Sequence, residues 1–212
     1  VRRLRISLGA ILLVAGIAAV LVLATAGLIT NWLWFQDVGY QQVFLKMITS
    51  RLVLGVIGGL LFGGFLLANL LFASRLKPRM QLVTGDVIEP QVSVPFRVGF
   101  LALLASAAAA WVSGFSLSLQ WLVAQRFLHS QPFGVADPIF GRDAGFYVFG
   151  LPFYSLLYQY VFSLIVVSVA GAAAVYLLTG GLLSLGQGRI SFHPRAKMHL
   201  SVLVGIALLV RA

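Results

Sequence analysis

Cysteine is absent from this 212-residue chain, which excludes disulfides, thiolate metal sites and cysteine nucleophiles. Charge is scarce as well. Asp and Glu number 5 against 15 Lys and Arg, and charged residues make up 9% of the sequence, against about 25% in a soluble protein. So few ionisable side chains cannot keep a compact globule in water when 60% of its residues are hydrophobic and its mean hydropathy is +1.01. Lipid must solvate much of the surface. The formal charge of +10 would suit nucleic acid. However, the basic residues form small clusters between long apolar runs, not a stripe with interleaved aromatics, so nucleic acid is excluded as a partner.

The apolar runs are long enough to count as membrane spans. The first uncharged run extends from Ile6 to Gln36, its apolar part ending near Ile29, and exceeds the ~20 residues needed to cross ~30 Å of hydrocarbon. Arg2, Arg3 and Arg5 before it resemble the start of a signal peptide. The apolar part outlasts a typical apolar core of ~7–15 residues, so an uncleaved span is expected. Further spans are expected at about 52–74, 98–119 and 154–185. A fifth run begins near Met198 and reaches Val210 before the sequence stops; about thirteen residues at ~1.5 Å each do not span. The expected fold is therefore all-α: a polytopic transmembrane helix bundle, one domain over residues 1–212, with four complete spans and the start of a fifth. A longer parent chain is also expected.

Lys and Arg number three at the N-terminus (Arg2, Arg3, Arg5), two in the first connection (Lys46, Arg51) and four in the second (Arg75, Lys77, Arg79, Arg97). The third connection has two (Arg126, Arg142) and the fourth three (Arg189, Arg195, Lys197). The positive-inside rule then predicts a cytoplasmic N-terminus, with the second and fourth connections cytoplasmic and the first and third outside.

Small residues recur at helical spacing. Gly55, Gly59 and Gly63 lie on one face of the second span, and Ala102, Ser106, Ala110, Gly114 and Ser118 on one face of the third. Lipid gives no hydrophobic drive for helix association, so such faces predict close backbone contact. No Asp, Glu, Lys, Arg or His stands in the middle of a complete span, so the usual marker of proton relays and ion pathways is missing. Asn69, the main polar interruption of the second span, predicts an interfacial or helix–helix hydrogen bond.

Candidate chemistry is thus confined to the connections. In the second, Asp86 and Glu89 are read as solvated. In the fourth, His193 and His199 flank Pro194 and offer too few ligands for a zinc site. In the first, "NWLWFQDVGYQQVF" brings Trp32, Trp34 and Tyr40 to the lipid–water boundary, where an apolar ring and a polar tip are both satisfied. The third holds the most unusual stretch, "DPIFGRDAGFYVFGLPFY". Asp137-Pro138 suits a turn start, Gly141 and Gly145 allow unusual backbone geometry, and Pro152 suits a helix start, where a missing N–H costs least. Phe146, Tyr147, Phe149 and Tyr154 read as an interfacial belt. Asp137, Arg142 and Asp143 are expected to form a short ion-pair network that holds the loop. Two carboxylates are too few to name a cation site, and His129 has no catalytic constellation around it. No catalytic residue, metal or cofactor is assigned.

"NWLWFQDVGYQQVF" followed by "DPIFGRDAGFYVFGLPFY" resembles a family of uncharacterised prokaryotic integral membrane proteins. The resemblance implies about seven N-terminal spans followed by a large extracytoplasmic region, and it supplies no activity. The expected role is a non-catalytic scaffold or accessory subunit in a bacterial plasma membrane, positioning an extracytoplasmic region or partner proteins. Its partners would be the bilayer and either membrane proteins or its own downstream region. The alternative is part of a transporter or channel for lipid or solute that needs further spans.

Overall fold

The computed structural model describes residues 8–75, 97–179, 184–186, 189–191 and 194–212. Arg2, Arg3, Arg5, Asp86, Glu89 and His193, together with most of the second connection, lie outside the described residues. The described residues form six α-helices in order: α1 (Leu8–Asp37), α2 (Gln41–Arg75), α3 (Arg97–Leu119), α4 (Trp121–Leu128), α5 (Leu151–Leu178) and α6 (Pro194–Arg211). A π-helical turn, Phe146–Gly150, leads into α5. A short antiparallel pair, β1 (Ser184–Gly186) and β2 (Arg189–Ser191), precedes α6.

Proline placement explains much of this order. Among the described residues, α1, α2 and α3 contain none, Pro152 falls in the first turn of α5, and Pro194 opens α6. At Pro194 proline is tolerated because the first helical N–H groups have no intrahelical acceptor.

Among the described residues, four helical stretches are long and apolar enough to cross a membrane: Ile11–Asp37, Gln41–Arg75, Val98–Leu119 and Phe146–Leu178. The fold is all-α, and four spans were expected. Their limits differ from those read in the sequence. The "NWLWFQDVGYQQVF" segment is helical except at 38–40, because α1 runs on to Asp37 and α2 starts at Gln41. The fourth span starts at Phe146 rather than Tyr154 and stops at Leu178, before β1. The third connection contains a helix, α4, that was not expected from the sequence.

The chain divides into two compact units, Val1–Thr49 and Ser50–Ala212. In the first, the α1–α2 turn closes through Tyr40 N–H to the Phe35 carbonyl (2.8 Å). Phe44 is buried there against Trp32 and Phe35, at ring-centroid distances of 5.7 and 5.4 Å.

In the second unit, α2 and α3 run antiparallel with their small-residue faces touching. A Cβ placed on Gly59 would come 2.9 Å from the Ala110 carbonyl oxygen, and one on Gly63 would come 2.6 Å from the Ala110 Cβ and 3.0 Å from the Ser106 carbonyl oxygen. At Gly55 the neighbours are Gly114 and Ser118. Ala102 continues into the core, which comprises Leu66, Leu70 and Ala73 of α2, Ala172, Val175 and Tyr176 of α5, and Ala196 and Leu203 of α6. Helix α5 runs parallel to α2: the Tyr160 hydroxyl donates to the Gly58 carbonyl, and Gly171 abuts Leu66 and Leu70. Helix α6 returns antiparallel to α5, with His199 beside Tyr176 and Arg211 beside Tyr158.

Candidate functional site

The stretch that stood out in the sequence forms an ordered loop held by two carboxylates. Asp143 accepts three backbone N–H bonds: Phe133 to Oδ1 (3.0 Å), Gly145 to Oδ1 (2.6 Å) and Gly134 to Oδ2 (2.8 Å). Residues 133–134 and 145 are thereby fastened to one side chain. The Phe133 N–H, then that of Gly145, holds the Asp143 carboxyl below its ordinary value of 3.8, against the opposing effect of burial; Gly134 and Val135 add to the lowering. Charge-assisted acceptance of several backbone donors favours the ionised form.

Asp137 closes the tip. Its Oδ2 accepts from the Phe140 N–H (2.7 Å) and the Tyr147 hydroxyl (3.2 Å). Its own N–H donates to the Arg142 carbonyl, and the Gly141 N–H returns to the Asp137 carbonyl, at 2.8 and 2.9 Å. Gly141 adopts φ +64°, a conformation glycine takes without the steric penalty of a Cβ. Gly145 is required for a different reason: a Cβ there would lie 2.8 Å from both Asp143 Oδ1 and the Gln131 carbonyl oxygen. Pro138 follows Asp137 into the turn, and Ile139 and Phe140 project from it, 79% and 73% exposed.

The ion-pair network expected among Asp137, Arg142 and Asp143 takes another form. The carboxylates bind backbone donors, and the Arg142 guanidinium lies 4.6 Å from the centre of the Phe146 ring, a cation–π contact.

The loop stands on aromatic rings. Phe127 of α4 stacks on Phe153 of α5 at 4.1 Å and meets Tyr154 edge-on at 5.6 Å. Phe133 meets Phe149 at 5.6 Å, and Phe146 contacts both Tyr147 and Tyr154. The expected belt residues of this region therefore pack largely on one another. Trp34 and Tyr40, in the other unit, are exposed, while Trp32 is half-buried.

Pro152 has an effect beyond marking a helix start. Helical geometry runs unbroken from Phe146 to Leu178, so Pro152 lies inside a continuous segment and cannot donate to the Val148 carbonyl. The chain widens there by a turn: the Leu151 N–H donates to the Phe146 carbonyl, five residues back. Such π turns relieve the clash of a proline ring with the preceding turn and occur often at functional sites.

Two features beyond the sequence reading join distant residues. Gln125 of α4 donates from Nε2 to Ser50 Oγ at 2.8 Å, and Arg51 lies 5.8 Å from the Trp121 ring. At the opposite end of the unit, Tyr176, His199 and Asn69 form a hydrogen-bonded row, Tyr176 Oη to His199 Nδ1 at 2.8 Å and His199 Nε2 to Asn69 Oδ1 at 3.2 Å. Asn69 Nδ2 donates to the Phe65 carbonyl at 2.8 Å. That bond turns the amide oxygen toward His199, so Nε2 carries the proton and the Tyr176 hydroxyl donates to Nδ1. Asn69 hinted at such a bond in the sequence; its partner, 130 residues away, had no local signal. Among the described residues, no three His, Asp or Glu side chains converge as metal ligands.

Residues 8–212 match the family described as "Uncharacterised protein family (UPF0182)". The chain belongs to this family. A UPF0182 protein of Saccharopolyspora erythraea is 36% identical over 218 residues, covering 99% of this chain and 22% of that relative. A UPF0182 protein of Mycobacterium avium is 37% identical over 209 residues, and one of Rhodococcus erythropolis 32% over 208, each match covering 95% of this chain and 21% of the relative. The chain thus spans about a fifth of the length of the curated UPF0182 relatives it matches. No solved structure matches it.

Proposed function

We propose that this chain is a non-catalytic membrane scaffold of the bacterial plasma membrane, with its N-terminus cytoplasmic and residues 129–145 on the outer side. It would hold partner proteins, or further regions of a longer UPF0182 protein, in fixed register with the bilayer. The observation that carries this reading is the continuity between the loop and the bundle. Asp143 fastens residues 133, 134 and 145 together, and that knot continues through Phe146–Gly150 into α5. A partner seated on the exposed Ile139–Phe140 tip would therefore be coupled to a membrane-crossing helix without a flexible linker. The Lys and Arg distribution supports the orientation, and close α2–α3 packing suits a rigid support.

The test is to tag the protein in its native host, solubilise the membranes gently, and identify what co-purifies. A partner in stoichiometric amount should appear, and Ile139→Ser with Phe140→Ser should release it while the chain stays in the membrane fraction. Recovery of this protein alone would refute a partner-binding scaffold.

A further inference from the structure

A cavity of about 310 Å³ opens where the loop meets α4 and α5, lined by Phe127, Ser130, Pro132, Asp143, Phe146 and Tyr154 among others. Its size is at the lower end for ligand pockets, which run ~300–1,000 Å³. The rings are not stacked as a slab. Phe127 and Tyr154 are inclined at 74°, and Phe146 and Tyr154 at 35°, so several ring faces and edges surround one space. An ionised carboxylate stands in the same wall. Asp143 accepts two N–H groups on Oδ1 and one on Oδ2, and its charge is left without a cationic partner among these bonds.

This combination selects by charge. An anion would be repelled by Asp143, and a purely apolar occupant would strip water from the carboxylate with no compensating partner. A hard metal ion needs about six to eight oxygens, and no cluster of three His, Asp or Glu occurs among the described residues. An organic ammonium satisfies both elements, because aromatic rings and a carboxylate are what such groups bind. Arg142 adds a second requirement. Its guanidinium sits at 4.6 Å on Phe146, placing positive charge beside the cavity, where it would oppose a bare cation and attract a phosphate attached to one.

We propose that the cavity framed by Phe127, Asp143, Phe146 and Tyr154 binds a zwitterionic phosphoalkylammonium group, with the ammonium against Asp143 and the rings and the phosphate toward Arg142. The site lies at the end of the Phe146–Leu178 segment, the depth at which phospholipid headgroups lie. It goes beyond the scaffold reading and does not depend on it.

The test uses the purified protein in mixed micelles with equal amounts of phosphatidylethanolamine, phosphatidylcholine and phosphatidylglycerol, with native mass spectrometry counting retained lipid. The zwitterionic lipids should be retained about tenfold over phosphatidylglycerol, the scale of one cation–π and ion-pair site. Phosphocholine should displace them, and sodium chloride at equal ionic strength should not. Asp143→Asn and, independently, Tyr154→Leu should each lower retention by a similar factor; Tyr154→Leu leaves the Asp143 bonds to the loop untouched. Free phosphocholine that raises the melting temperature without lipid selectivity would keep the chemistry and assign it to a soluble ligand. Equal retention of all three lipids together with no response to phosphocholine would overturn the proposal, as would unchanged retention in both variants.

Discussion

At the scale of single residues, Asp143 shows how one side chain can order a segment with no helix or sheet of its own. Its carboxyl is held below 3.8 by the backbone N–H groups of Phe133 and Gly145. A group whose folded pKa is depressed stabilises the fold fully above its unfolded value, and that contribution is lost as pH falls through the lower folded value. The amide resonances of Gly134 and Gly145 should therefore hold steady on acidification to about pH 4 and move together only below it. Movement well above pH 4 would show that these bonds do not hold the loop. The sequence pointed to Asp137, Arg142 and Asp143 as a group but gave them the wrong partners. Opposite charges invite ion pairing on paper, whereas the close turn brings backbone donors nearer than the guanidinium. Tyr176 was less legible still: one hydroxyl at the end of an apolar run looks like an interfacial residue until α6 returns and places His199 against it.

At the scale of elements, the helices themselves were legible because 20 or more apolar residues have few alternatives in lipid. Their ends were less so. The boundary aromatics Trp32, Trp34 and Tyr40 were read as part of a loop, yet all but the 38–40 turn is helical; aromatic residues mark depth in the membrane, not the end of a helix. The π turn had no sequence signal beyond Pro152, because its width follows from the helix continuing on both sides of the proline. The small-residue faces of α2 and α3 carried more information, since a spacing of four residues fixes a face without reference to anything distant. A Cβ on Gly114 would approach the Gly55 carbonyl oxygen to 2.5 Å and the Gly59 Cα to 3.1 Å, and backbone cannot give way as a side chain can. Gly114→Leu should lower stability in detergent by about 1–3 kcal/mol or more, the usual effect of overpacking, seen as a fall in melting temperature. An unchanged melt would mean that α2 and α3 do not meet on this face.

At the scale of the whole molecule, sequence gave four crossings but not which helices touch. Contacts between α2 and α5 join residues about 100 positions apart, such as Gly58 and Tyr160, and periodicity carries no record of such a distance. The absence of cysteine makes the arrangement simple to test. Leu70→Cys with Gly171→Cys, whose parent residues touch, should form a disulfide on mild oxidation in membranes. Leu70→Cys with Ser155→Cys, at the other end of α5, should not. The reverse outcome would require α2 and α5 to run antiparallel.

The alternating directions of the helices also bear on electrostatics. From Ser50 onward, α2 and α5 point one way and α3 and α6 the other. Each helix carries roughly half a positive charge at its N-terminus and half a negative charge at its C-terminus. Over residues 50–212 the oppositely directed backbone dipoles of these helices therefore largely offset one another. Within those residues the backbone leaves little net dipole for a voltage to act on, so electrical asymmetry there is written in the charged side chains, the carboxylates of Asp137 and Asp143 as well as the lysines and arginines.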